Sequence, residues 1–117
     1  MKSNEPIDEK PSNSTTTVAE MMEWIDRFSA ARNWEKYHTP KNLAVSIAIE
    51  AAELLEHFQW TDGGIWRQGE QTLDRQAAAA EMADVLAYLL RLSSVLKIDL
   101  AESLASKMEE NAKKYPI

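Results

Sequence analysis

No cysteine occurs among the 117 residues. Disulfides, thiol nucleophiles and zinc–thiolate sites are thereby excluded. Basic residues are the minority, 13 against 19 acids, for a formal net charge of -6. A polyanionic DNA or RNA backbone needs a basic face, so a nucleic acid polymer is not an expected partner. A small phosphorylated ligand stays open, because a bound cation reverses the local field. No apolar run approaches the length of a membrane span, so no membrane partner is expected. Met1–Ser14 is polar and lacks the apolar centre of a signal peptide. The expected location is the cytoplasm.

Glycine is scarce too. All three glycines (Gly63, Gly64, Gly69) fall in one stretch, which marks a loop over roughly Thr61 to Thr72. Two of the four prolines lie in residues 1–16, a polar segment that reads as a flexible tail. Residues 17–117 read as one all-α domain with four helices. The first is expected from about Thr17 to Trp34, with Thr17 and Glu20 at capping-box spacing and Val18, Met21, Met22, Ile25 and Phe28 as its apolar stripe. The second is expected from about Pro40 to Phe58, with Thr39 as cap and Pro40 at the first position. The third is expected from about Leu73 to Leu96, where Ala77–Ala80 favours helix. The fourth is expected from about Leu100 to Lys113. Asp99 and Glu102 form its capping pair, and Leu100, Leu104 and Met108 line one side. At 44% hydrophobic the chain can build a core, but its shortness leaves much surface, and self-association would bury more.

The chemistry lies in the acids. Helix two carries Glu50, Glu53 and Glu56, and helix three carries Glu81 and Asp84. Residues three apart sit about 60° apart on one helical face, so Glu50 pairs with Glu53 and Glu81 with Asp84. Ile47 and Leu54 flank Glu50 by one turn, and Ala77, Ala78 and Val85 flank Glu81. Like charges at this spacing repel, and buried charges need partners. If both pairs face one interior, hard oxygen ligands converge that suit magnesium or manganese. A solvated acidic face, as in a helical interaction module, is the competing reading of the same spacing.

The strings IEAAELLEHFQW and EMADVLAYLL, separated by a glycine-containing loop, resemble the MazG-type all-alpha nucleoside triphosphate pyrophosphatases. The signature of that superfamily, Glu-x-x-Glu followed by Glu-x-x-Asp, is carried here by Glu50, Glu53, Glu81 and Asp84. RNWEKYHTPKNL at 32–43, FQW at 58–60 and KMEENAKKYP at 107–116 extend the resemblance towards the dCTP pyrophosphatase branch. The resemblance implies a four-helix bundle-like fold assembled as a dimer or a homotetramer, with sites completed across subunits. It implies cleavage of a (deoxy)nucleoside triphosphate between the α and β phosphates, giving a monophosphate and pyrophosphate, in nucleotide-pool cleaning. The expected substrate is dCTP or a modified dCTP. Related enzymes on this scaffold that act on dUTP or phosphoribosyl-ATP are the alternatives.

The resemblance also assigns roles. Glu50, Glu53, Glu81 and Asp84 are expected to hold magnesium, with manganese as the substitute. Glu53 is the first choice for general base, with Glu50 as the second catalytic carboxylate, while Glu56 lies further round the helix as a supporting residue. Trp34 and Trp60 match tryptophans of the base pocket. Tyr88, one turn after Asp84, is expected near the sugar. Lys107 and Asn111 match phosphate-contacting positions, and with Lys114 they form one polar stripe. Asn42 either contacts the base or caps helix two. Trp24 and Trp66 match nothing. His38 and His57 lack a second histidine at ligand spacing, so surface or packing roles are expected for them. One departure stands out: dCTP-specific relatives carry a histidine where this chain has Ile25, which points to a more apolar pocket.

Overall fold

A computed structural model describes residues 10–61, 63–67 and 73–117. The expected tail falls largely on 1–9, outside the described residues, as do parts of the glycine loop (62 and 68–72, with Gly69). The elements are α1 (Val18–Ala31), a short 3₁₀ turn (Glu35–Tyr37), α2 (Pro40–Glu56), α3 (Arg75–Leu96) and α4 (Leu100–Lys114). Among the described residues there is no strand.

Each start is chemically marked. Thr17 accepts from the Glu20 amide at 3.1 Å, and Glu20 accepts in return from the Thr17 amide at 3.0 Å, so the capping box forms. Thr39 accepts from the Asn42 amide ahead of Pro40. Asp99 accepts from the Glu102 amide at 2.9 Å. Asp74 accepts from the Ala77 amide, which moves the start of α3 to Arg75 rather than Leu73.

The ends are less transparent. Helix α1 stops at Ala31, three residues short of Trp34. Asn33 turns to φ 56°, and the amides of Trp34 and Asn33 bond back to the carbonyls of Ser29 and Ala30. This is a Schellman closure with asparagine in the glycine position. Lys97 repeats it after α3, at φ 55°, with Ile98 bonded to Ser93 and Lys97 to Ser94. Helix α2 ends at Glu56, and tight turns carry His57, Phe58 and Gln59 onward.

Helices α2 and α3 form the main packed pair, and α1 lies against α3. Helix α4 touches the others only marginally. The apolar interior is thin: among the described residues, Leu43, Ala78 and Leu90 are the buried hydrophobics. The expected α4 stripe is exposed at Leu104 and Met108. Helix α2 also shows an outer apolar face, with Val45 and Ile49 about half exposed.

Leu43 is 1% exposed, so Leu43→Ala is expected to cost about 2–5 kcal/mol in urea unfolding. Lys97→Gly should instead gain about 0.5 kcal/mol, because glycine adopts the left-handed conformation without steric cost.

Candidate active site

Repeating apolar positions decide which face α2 turns inward. Leu43 is buried, and Ile47, Glu50, Glu53 and Leu54 are half-buried on the same side. On α3, Ala78 is buried and Ala77 and Glu81 are half-buried. Glu50, Glu53 and Glu81 thus meet, with one carboxylate oxygen from each lying within 4.8 Å of the others. Asp84 stands one turn further along α3, exposed and outside this trio. Glu56 is exposed.

The trio is electrostatically unsatisfied. Oε2 of Glu50 and Oε2 of Glu81 are sealed from solvent and make no hydrogen bond. The carboxyl of Glu50 is pushed up to about 7, first by the adjacent Glu53 carboxyl, which favours a shared proton, then by burial, by the Glu81 carboxyl, and by the charges of Glu53 and Asp84. His57 closes one side, with Nε2 at 3.8 Å from Glu81 Oε1, beyond hydrogen-bond reach. Converging hard oxygens, two of them without a donor, fit a divalent cation such as magnesium.

Beside the acids lies a cavity of about 380 Å³, within the usual range for small-ligand sites. Glu50 and Asp84 form its wall towards the trio, and Trp24, Trp34, His38, Tyr88 and Arg91 contribute to the rest. The turn at Asn33 takes Trp34 off the axis of α1 and into this wall. Its ring meets Phe28 edge-on at 5.7 Å, and the Arg32 guanidinium lies 3.5 Å over Phe28. Ile25 lines the same cavity.

The sequence-expected positions therefore separate. Glu50, Glu53 and Glu81 form the cluster, and Asp84, Trp34 and Tyr88 lie in the adjoining cavity. Trp60 is 82% exposed and does not line it. Asn42 donates its side-chain amide to the Tyr37 carbonyl at 3.0 Å, tying the 3₁₀ turn to α2. Lys107 sits 3.8 Å from Glu110, and Asn111 donates to Met108 Sδ. No residue of α4 lines the cavity. Trp24, His38 and Arg91 were not anticipated there. Trp24 is four residues from Phe28 on α1, a spacing that places the two on one side. His38 and Arg91 carry no such local signal.

The profile of the MazG-like family matches residues 45–117, well over half of the chain. The chain belongs to the MazG-like family. It is 42% identical over 90 residues to dCTP pyrophosphatase 1 of Homo sapiens, covering 76% of this chain and 53% of that protein. It is 33% identical over 106 residues to dCTP pyrophosphatase 1 of Bos taurus, covering 90% and 63%. The chain spans about half the length of the curated relatives it matches. A solved pyrophosphatase from Archaeoglobus fulgidus superposes with a TM-score of 0.75 at 44% identity, covering 92% of this chain and all of that one. The all-helical architecture of this MazG-like chain agrees with the expected fold class.

The acid cluster makes stability depend on pH in a definite sense. The folded chain holds the Glu50 proton more tightly than an unfolded glutamate, whose value is 4.5. The resulting stabilisation is full below that value and is lost as pH rises through about 7. In chelator, the melting temperature should therefore fall between about pH 5 and about pH 8, and Glu50→Gln should flatten that slope. Equal slopes for the two proteins would contradict the assignment.

Proposed function

We propose that this MazG-like chain hydrolyses a (deoxy)nucleoside triphosphate to a monophosphate and pyrophosphate, with dCTP or a modified dCTP as substrate. The observation that carries the reading is the shared wall: Glu50 and Asp84 border both the acid cluster and the aromatic cavity. A nucleotide seated with its base among Trp24, Trp34 and Tyr88 would direct its phosphates towards the acids. The relatives named as dCTP pyrophosphatases and the Archaeoglobus pyrophosphatase support the same chemistry.

Glu50, Glu53, Glu81 and Asp84 would hold magnesium. A divalent cation bound there supplies Lewis-acid polarisation of the phosphates and charge neutralisation. The chain's own residues do the rest. The indole of Trp34 offers a face for stacking the base. Glu53, with Glu50 beside it, accepts the proton of the attacking water. The half-buried setting of the trio limits bulk water around the phosphates.

Self-association belongs to the same proposal. The outer face of α2 (Val45, Ile49) and the stripe of α4 (Leu104, Met108) are exposed and apolar, and a second copy would cover them. Lys107 and Asn111 on α4 would then reach phosphates in a neighbouring subunit's site, since in their own chain they lie away from the cavity. The assembly expected is a homodimer or homotetramer.

Pyrophosphate release should be measured across natural and 5-substituted nucleoside triphosphates, with and without magnesium. Glu53→Gln and Asp84→Asn should each lower the rate at least about 100-fold, equivalent to roughly 3 kcal/mol of barrier. Undiminished hydrolysis in both would sink the metal-site reading, and silence across the panel would sink the enzyme reading. Sedimentation should find the wild type as an oligomer and Leu104→Glu as a smaller species. A monomeric wild type would refute the assembly.

A further inference from the structure

Arg91 is a cation in an unusual place. It projects from the C-terminal third of α3, is 8% exposed, and forms part of the cavity wall. A buried guanidinium needs partners for its charge and its donors. Nη1 donates to Asp26 Oδ1 on α1 at 2.8 Å, and Ser94 Oγ donates to the other oxygen of the same carboxylate. Nε donates to His38 Nδ1 at 3.0 Å. One side chain thus ties α1, α3 and the segment between the 3₁₀ turn and α2.

The bond to His38 has a chemical consequence. A guanidinium only donates, so the ring nitrogen facing it must accept. Nδ1 therefore carries no proton, and a neutral imidazole then carries its proton on Nε2. The ring is kept neutral as well: burial lowers its proton affinity, the Arg91 charge lowers it further, and Glu35 opposes them more weakly. His38 lines the same cavity, with its ring 6.4 Å from that of Trp34. Among the described residues no hydrogen bond uses Nε2, so this donor is available to a ligand.

We propose that Arg91, braced by Asp26, is a positioning residue that fixes His38 as a neutral Nε2–H donor to an acceptor on the nucleobase, such as the O2 carbonyl of a pyrimidine. The base contact rests on the reading of the cavity as a nucleotide site, whereas the state of the imidazole does not. Arg91 touches no reacting atom, and it acts through His38. A ring free to change tautomer would present Nε2 as an acceptor part of the time and repel the same carbonyl.

The tautomer is read by long-range proton–nitrogen NMR on the unaltered protein. The chain has two histidines, so His57→Asn completes the assignment. The expected result is an unprotonated Nδ1 and a protonated Nε2 on His38 at neutral pH. A proton on Nδ1 overturns the proposal. In Arg91→Met the His38 signals should move to a tautomer mixture, and unchanged signals overturn the role of Arg91. The base contact is read by titrating dCMP and the baseless deoxyribose 5-phosphate, followed by calorimetry. His38→Phe keeps the ring shape and should weaken dCMP about tenfold while leaving deoxyribose 5-phosphate unchanged. Arg91→Met should do the same, and His38→Phe carries the test alone where Arg91→Met fails to fold. Equal losses for both ligands, or no loss of dCMP affinity, overturn the base contact. A wild type that binds no dCMP refutes the nucleotide reading of the cavity and the base contact with it, leaving the tautomer result to bear on Arg91 alone.

Discussion

Three glutamates held together between two helices impose the governing constraint on this chain. Like charges at such separation repel, and two of the oxygens have neither water nor a donor. The α2–α3 packing must hold against that repulsion, and it does so with a thin set of buried apolar residues around Leu43, Ala78 and Leu90. The cost surfaces in Glu50, which retains a proton far above the usual carboxylate range. Arg91 shows the opposite solution a few turns along α3. Its charge is also buried, but it is matched by Asp26 and by a lone pair of His38. One buried charge is therefore matched within the chain, and the carboxylates of the other cluster are not.

Legibility in the sequence followed the range of the interactions. Helix starts were readable because Thr17, Thr39 and Asp99 each satisfy an amide three residues away. Helix ends were less so, because Asn33 and Lys97 stand where glycine would announce the turn. The acids were readable as pairs on single helices; three of them, Glu50, Glu53 and Glu81, are half-buried, whereas Asp84 is exposed. That Glu81 joins Glu50 and Glu53 while Asp84 stays outside the trio depends on how α2 and α3 are set against each other, which spacing within one helix does not report.

The cavity lies at the far end of that scale. Trp34 and Tyr88 were singled out through resemblance, and their periodicity alone admits core packing. Arg91 joins partners 53 and 65 positions away, and no local pattern encodes either pairing. Asn42 illustrates the converse, since its local bond to Tyr37 gives it structural work in a string that resemblance had associated with the base. The exposed apolar positions of α2 and α4 belong here too, for an apolar stripe read from periodicity does not say whether the chain itself covers it.

Lys97 gives the molecule a mechanical property. Beyond it α4 runs 15 residues, a rod of about 22 Å at roughly 1.5 Å per residue. Joined to α3 through one left-handed residue and in only marginal contact with the other helices, the rod takes its direction from that turn. A rotation of about 10° at its base sweeps the tip through about 4 Å, more than the length of a hydrogen bond. The position of the basic C-terminal end is thus set by the backbone torsions at Lys97.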